Sequence, residues 1–337
     1  MSRGDSQHTT CIVETRPGTL LLVYLCFYLA IFEKIWTFYE FIMGGNAEDL
    51  HLPVMCNEVL ACLHPESGER YVDATLGLGG HTEAVLKVSA PTGRVIGFEW
   101  DNEAAAPAAD RLQPFGNRVT IIHASYAEMA VELTGLGVES VDGILADLGV
   151  SSLQLDRPER GFSFRKDAPV DMRMNTESSI DAAAILAGAT EKELADIFYH
   201  YGEERQARRI AAHLCKARAS FRIQTTRQLA DLVAEAVPRR FHPEKIHVAT
   251  KVFQALRIAV NRELDNLVRL LADGPDFLRT GAAFCIITFH SLEDRIVKQA
   301  FRRDGRLQAG KPVRPTKDEV AGNPRARSAT LRCAVRL

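Results

Sequence analysis

Residues Arg70–His81 read RYVDATLGLGGH. Arg70–Ala74 has the pattern of a short buried strand, Thr75–His81 is a glycine-rich turn, and Thr82–Val88 opens a helix. A strand, a turn and a helix start at the carboxyl edge of a parallel sheet make a ligand cradle. Glycines allow close backbone approach there, and the free N–H groups of the helix start favour an anionic group. A dinucleotide fingerprint would need a third glycine at position 82 after Gly77 and Gly79, and that position is Thr82. A glycine-rich turn alone is a weak signal, because tight turns need glycine anyway.

The neighbouring stretches sharpen it. Arg94–Phe98 (RVIGF) reads as a second strand, followed by Glu99-Trp100-Asp101 and an Ala-rich helix over Asn102–Leu112. Arg118–His123 is a third strand, and Val141–Asp147 (VDGILAD) a fourth that ends in an acid. Strands alternating with helices predict an α/β fold with a parallel sheet covered on both faces. Glu99 lies 20 residues beyond Gly79, where an acid meets ribose hydroxyls. S-Adenosylmethionine carries a sulfonium, a carboxylate, an ammonium and a ribose, so acids at three strand ends (Asp73, Glu99, Asp147) suit it better than a pyrophosphate. Helix capping by each acid is the competing reading, and it explains one acid more easily than three.

The alternation then stops. Ser179–Val237 is helical in pattern and closed by Pro238 and Pro243, Lys251–Ala272 reads as one long amphipathic helix, and Phe284–Phe289 (FCIITF) is a fifth strand. A helical block is therefore inserted between the fourth and fifth strands. The tail from Arg295 holds 12 Lys/Arg against 3 Asp/Glu and is expected to be extended. At the other end, Leu20–Phe32 is an apolar run of 13 residues, short of the roughly 20 that span a membrane. Residues 1–48 are expected to be a leader outside the fold, with Met43-Gly44-Gly45 as its natural boundary.

Net charge is −2, which alone argues against a polyanion partner. The distribution argues otherwise: residues 1–150 carry 8 Lys/Arg and 20 Asp/Glu, and residues 151–337 carry 33 and 23. A basic second half suits nucleic acid, the bland alternative being solvated helix faces. The seven Cys form no C-x-x-C pair and have no zinc-ligand spacing, so reduced thiols in a cytoplasmic setting are expected, with no metal.

Two further stretches carry chemistry. Asp147–Asp156 (DLGVSSLQLD) continues through Arg160-Gly-Phe162-Ser-Phe164-Arg165 to Asp171-Met-Arg173-Met174. Arginines, small polar groups and two Phe at a strand end suit an unstacked base and its phosphates. An Arg-rich structural loop with both Phe in the core fits that composition equally well. Thr288–Arg295 (TFHSLEDR) ends the fifth strand. It lacks nucleophile-elbow glycines, so Ser291 reads as a helix N-cap with Asp294 at the third helical position, and His290 as a substrate contact or a structural histidine.

Together with His51–Val54, Tyr201–Glu204, FQALRIAVN (Phe253–Asn261) and NPRARSATL (Asn323–Leu331), these stretches resemble the MraW family of 16S ribosomal RNA cytosine N4-methyltransferases, over roughly His51 to Leu337. The resemblance implies a Rossmann-like class I methyltransferase domain (49–155 and 246–337) with an inserted all-helical substrate-binding domain (156–245). It implies S-adenosylmethionine contacts at Gly79, Gly80, His81, Glu99, Tyr126, Asp147 and Gln154. Glu99 stands where the family usually has Asp, and Tyr126 where it usually has Phe. Arg160, Phe162, Arg165, Arg173, Arg295, Arg325 and Arg327 are the expected RNA contacts.

The implied reaction moves the sulfonium methyl to N4 of cytosine, an amine whose lone pair is delocalised into the ring. A group that accepts a hydrogen bond from N4–H restores its nucleophilicity. Asp147 is the first candidate, with Ser151, Ser152 and His290 behind it. The implied partner is 16S ribosomal RNA, within the small ribosomal subunit. A homodimer is compatible with the sequence, and no stable membrane association is expected. The alternatives are a methyltransferase acting on another RNA or on DNA, and a non-catalytic RNA-binding protein. The latter leaves the acids at the strand ends unexplained.

Overall fold

A computed structural model of the chain describes residues 53–337; the expected leader, with Leu20–Phe32, lies outside the described residues. Seven strands form one sheet: β1 Arg70–Asp73, β2 Arg94–Phe98, β3 Val119–Ile122, β4 Val141–Asp147, β5 Leu278–Thr288, β6 Leu307–Ala309 and β7 Thr330–Arg336. Their order is β3-β2-β1-β4-β5-β7-β6, with β1 to β5 parallel and β7 antiparallel to both β5 and β6. This is a Rossmann-like sheet, as the family resemblance implies. The chain runs outward from β1 to β3 and then returns to pair β4 with β1. That reversal opens a crevice at the carboxyl ends of β1 and β4, where ligands of open α/β sheets bind.

Strand residues alternate between two apolar layers, as a doubly covered sheet requires. Tyr71, Leu145, Cys285, Ile287 and Leu331 face a layer built with α1 (Cys56–Leu63), α2 (Gly80–Val88) and α3 (Asn102–Leu112). Val72, Ile144, Phe284 and Ile286 face the other, where Met129 and Leu133 of α4 (Met129–Gly135) pack with residues from later in the chain.

After β4 come the short α5 (Ser152–Asp156) and then α6 (Ala182–Gly188), α7 (Glu191–His200), α8 (Ala207–Arg218), α9 (Thr226–Ala236) and α10 (Thr250–Asn261). The last five bury an apolar cluster of their own around Phe198, Leu214, Leu229 and Phe253. The single helix expected over Lys251–Ala272 is two. Arg262 adopts φ 51° between α10 and α11 (Glu263–Phe277), and the buried Asn261 side chain there bonds the N–H of Met174 at 2.7 Å and the carbonyl of Met172 at 2.7 Å. The break serves a long-range contact that helix periodicity does not reveal.

The basic tail is not extended either. It folds as α12 (Ser291–Arg303), β6, α13 (Lys317–Gly322) and β7, which pairs with β5 from Thr330 opposite Thr288 to Val335 opposite Ala283. No helix among the described residues is long and apolar enough to cross a membrane.

Candidate active site

The cradle is held by buried acids that look inward. Asp73, 3% exposed, accepts from the Thr75 N–H at 3.2 Å and from the Thr82 hydroxyl at 2.7 Å, stapling the turn to α2; burial raises its pKa. Asp73 therefore shapes the cradle rather than lining it. Glu99 accepts from the N–H groups of Gly77 at 2.8 Å and Asp101 at 2.7 Å, and burial pushes its carboxyl up to about 7. Gly79 has φ 79°, and a Cβ added there would meet the Leu112 side chain at 3.0 Å. Its missing side chain thus makes room for α3, and its conformation turns the chain into α2.

Other groups look outward. His81, in the first turn of α2, and Asp147, at the end of β4, approach to 3.6 Å between Nε2 and Oδ2, an attraction of charges rather than a hydrogen bond. Burial disfavours the imidazolium, but the Asp147 carboxylate and the Cys56 sulfur outweigh it and raise the ring to about 10. Both ring nitrogens of His81 and Oδ1 of Asp147 are buried without a hydrogen-bond partner among the described residues. Buried polar atoms left this way cost about 1–3 kcal/mol each, so the pair fits a polar ligand with both an anionic and a cationic part. The methionine end of S-adenosylmethionine is such a group.

The loop after β4 closes on Asp101, a residue the sequence reading passes over. Asp101 is fully buried and caps α3 by accepting from the Glu103 N–H at 3.1 Å. It also receives Gln154 Nε2 at 2.8 Å and Arg160 Nη2 at 2.9 Å. Gln154 completes a capping box with Ser151. Arg160, 4% exposed, further bonds Glu103 and the carbonyls of Arg173 and Met174. Of the expected site residues, the Arg160 guanidinium ties the loop to α3, and the Ser151 hydroxyl accepts from the Gln154 N–H as a helix cap. Ser152 accepts from Arg325, which also pairs with Asp156 at 2.9 Å. Arg325 thereby anchors the segment before β7 to α5.

At the end of β5 the N-cap of α12 is His290, not Ser291, and the partner in its capping box is Glu293, not Asp294. Asp294 instead pairs with Arg332 at 2.7 Å. Glu293 is buried 3.2 Å from His290 Nε2; burial would raise its carboxyl, and His290 and Arg257 hold it below the usual range. Arg257 of α10 grips Glu263 through two 2.8 Å bonds, and Tyr126 is raised by burial beside Glu263 and Glu293. Glu263 and Glu293 are buried and Arg257 is half-buried, and their helical pattern gave no sign of a shared site. Tyr126 is half-buried in the turn after β3.

The remaining RNA candidates divide. Arg173 pairs with Asp171 at 2.7 Å, and Arg295 with Glu203 at 2.8 Å. Phe164 packs edge-on against Phe253 at 4.8 Å, and Phe162 lies partly buried on the same helical cluster. Arg165 and Arg327 are exposed.

A profile of the MraW methylase family matches residues 48–337. The ribosomal RNA small subunit methyltransferase H of Desulfotalea psychrophila is 53% identical over 291 residues, covering 86% of this chain and 99% of that protein. The protein of the same name from Syntrophotalea carbinolica is 47% identical over 307 residues, covering 85% and 98%. Likeness to solved structures is slight: fibrillarin from Aeropyrum pernix, in complex with S-adenosyl-L-methionine, is 12% identical with a TM-score of 0.37, covering 82% of this chain and 74% of that one.

Proposed function

Because the chain belongs to the MraW methylase family, with S-adenosylmethionine as its methyl donor, we propose that it methylates N4 of a cytosine in 16S ribosomal RNA. The observation that carries this reading is the set of buried atoms without a hydrogen bond among the described residues, the two ring nitrogens of His81 and Oδ1 of Asp147, at the β1–β4 crevice. The names of the relatives support small-subunit ribosomal RNA as the substrate.

When bound, the donor supplies an electrophilic methyl on a cationic sulfur. The cationic His81 ring would attract its carboxylate, Glu99 would accept from its ribose, and Tyr126 would offer a face to its adenine. Gly80 and Gln154 complete the surround. Asp147 Oδ1 has an unused acceptor site for the N4–H of cytosine, which draws the lone pair back onto nitrogen. His290, at the end of the neighbouring β5 and paired with Glu293, takes the role of base contact. The proton leaves after transfer, when the amine is cationic and acidic. Residues 156–245 serve as the substrate-binding insert, in a cytoplasmic protein acting within the small subunit.

Incubation of purified protein with labelled S-adenosylmethionine and small-subunit RNA or subunits, followed by nucleoside mass spectrometry, tests this. N4-methylcytidine is the expected product. Label on carbon 5, on the ribose or on another base would overturn the assignment.

A further inference from the structure

We propose that Cys62, Cys285 and Cys333 form a binding site for one soft, thiophilic d10 cation, apart from the methyl-transfer crevice. Cys62 lies in the last turn of α1, Cys285 within β5, and Cys333 directly opposite it in β7. All three sulfurs lie within 4.8 Å of one another, and Cys285 and Cys333 are 3.4 Å apart. A cation held at about 2.3 Å from each of three thiolates spaces them about 4 Å apart, so these sulfurs need little movement to bind it. The set contains only sulfur, which selects soft ions such as copper(I), zinc or cadmium over magnesium or calcium.

Two simpler accounts leave something over. Buried thiols do pack as small apolar groups, but packing alone gives no reason for three sulfurs from three separate elements to meet at one point. A cross-strand disulfide would join Cys285 and Cys333 at about 2.05 Å and would have no use for Cys62. Cys285 is buried while Cys62 and Cys333 are partly exposed, which gives a cation a route inward and protons a route out. Binding breaks three S–H bonds, forms three sulfur–metal bonds and releases three protons to solvent, with no change of oxidation state. The residues are 62, 285 and 333, so no local spacing motif announces the site.

Titration of the reduced, full-length protein with cadmium chloride, read by the sulfur-to-cadmium charge-transfer band, tests the proposal. One equivalent should saturate the band at a three-sulfur intensity and raise the melting temperature. Cys62→Ser and Cys333→Ser should each weaken binding at least tenfold. Cys62→Ser leaves the β5–β7 pairing untouched, so it decides the matter even if Cys285→Ser does not fold. Cys215→Ser, in α8, should change nothing. A copper(I) arm that displaces cadmium would identify the preferred ion. A band that is absent, or that survives in the Cys62→Ser/Cys333→Ser double variant, would overturn the proposal.

Discussion

Arg160→Met separates a structural guanidinium from a phosphate-binding one. Arg160 and Asp101 are 5% and 0% exposed as side chains, so the pair is withdrawn from water. The substitution removes contacts to both Asp101 oxygens, to Glu103, and to the carbonyls of Arg173 and Met174. Removing one partner of a buried ion pair costs about 3–5 kcal/mol, because the other charge stays buried. Asp101 would keep Gln154 Nε2 and the Glu103 N–H, which puts the expected loss near the lower figure, about 3 kcal/mol. Urea unfolding should show this as a midpoint lowered by about 1 M or more with the slope unchanged. A cycle with Asp101→Asn should give a coupling of about 2 kcal/mol, since the two residues share the lost bonds. A loss below about 1 kcal/mol, together with a flatter salt dependence of RNA binding, would refute the structural role and return Arg160 to the phosphates.

Gly79→Ala should destabilise the fold by about 1–3 kcal/mol, since its φ of 79° is strained for alanine and the new Cβ sits 3.0 Å from Leu112; a melting temperature equal to that of the unaltered protein would show that the turn relaxes freely. Glu99 titrates near 7 in the folded protein and near 4.5 unfolded, so the folded state binds the extra proton between those values. The Glu99 contribution to stability is therefore present below about 4.5 and lost as pH rises to about 7, and Glu99→Gln should flatten the fall in unfolding free energy across that window. Arg165→Gln and Arg327→Gln should each weaken RNA binding and reduce its log–log salt slope by about one unit, read by filter binding at several salt concentrations. Arg325→Gln should instead lower the melting temperature and leave that slope alone, because Arg325 bonds Asp156 and Ser152.

The strands and the crevice were legible because they rest on local patterns. RYVDA, RVIGF and VDGILAD each combine β-branched or apolar residues with a boundary acid or glycine, and β2, β4 and α3 fall on their expected residues. What stayed hidden depends on partners far along the chain. Asp101 and Glu99 are both acids after a strand, and only Gln154 and Arg160, more than fifty residues away, make Asp101 the hub. The cap of α12 shifted by one residue because either of two adjacent acids satisfies a capping-box spacing; the choice of Glu293 follows from the pairing of Asp294 with Arg332 on β7. The tail misled through composition, since its arginines are spread along α12, β7 and the segments between them instead of lining an extended arm.

These corrections change where chemistry is to be sought. An arginine in a basic loop is an equally good candidate for RNA whichever way it faces, so charge alone ranks Arg160 with Arg165. Burial reverses the ranking. Arg160 is committed to a carboxylate as buried as itself, and taking it to a phosphate would leave Asp101 uncompensated, whereas Arg173 and Arg325 pair with Asp171 and Asp156 nearer the surface, where water compensates the acid. The same logic runs the other way for polar atoms buried without partners. Asp73 and Ser151 have theirs, so they hold the crevice in shape. His81 and Asp147 each keep a buried atom without one among the described residues, and a ligand that bonds them recovers about 1–3 kcal/mol per atom. His81 and Asp147 stand at the ends of elements flanking the β1–β4 reversal, while His290 stands at the end of β5, next to β4 in the sheet. Donor and base are therefore expected side by side along one sheet edge, with Asp147 at the strand end between them.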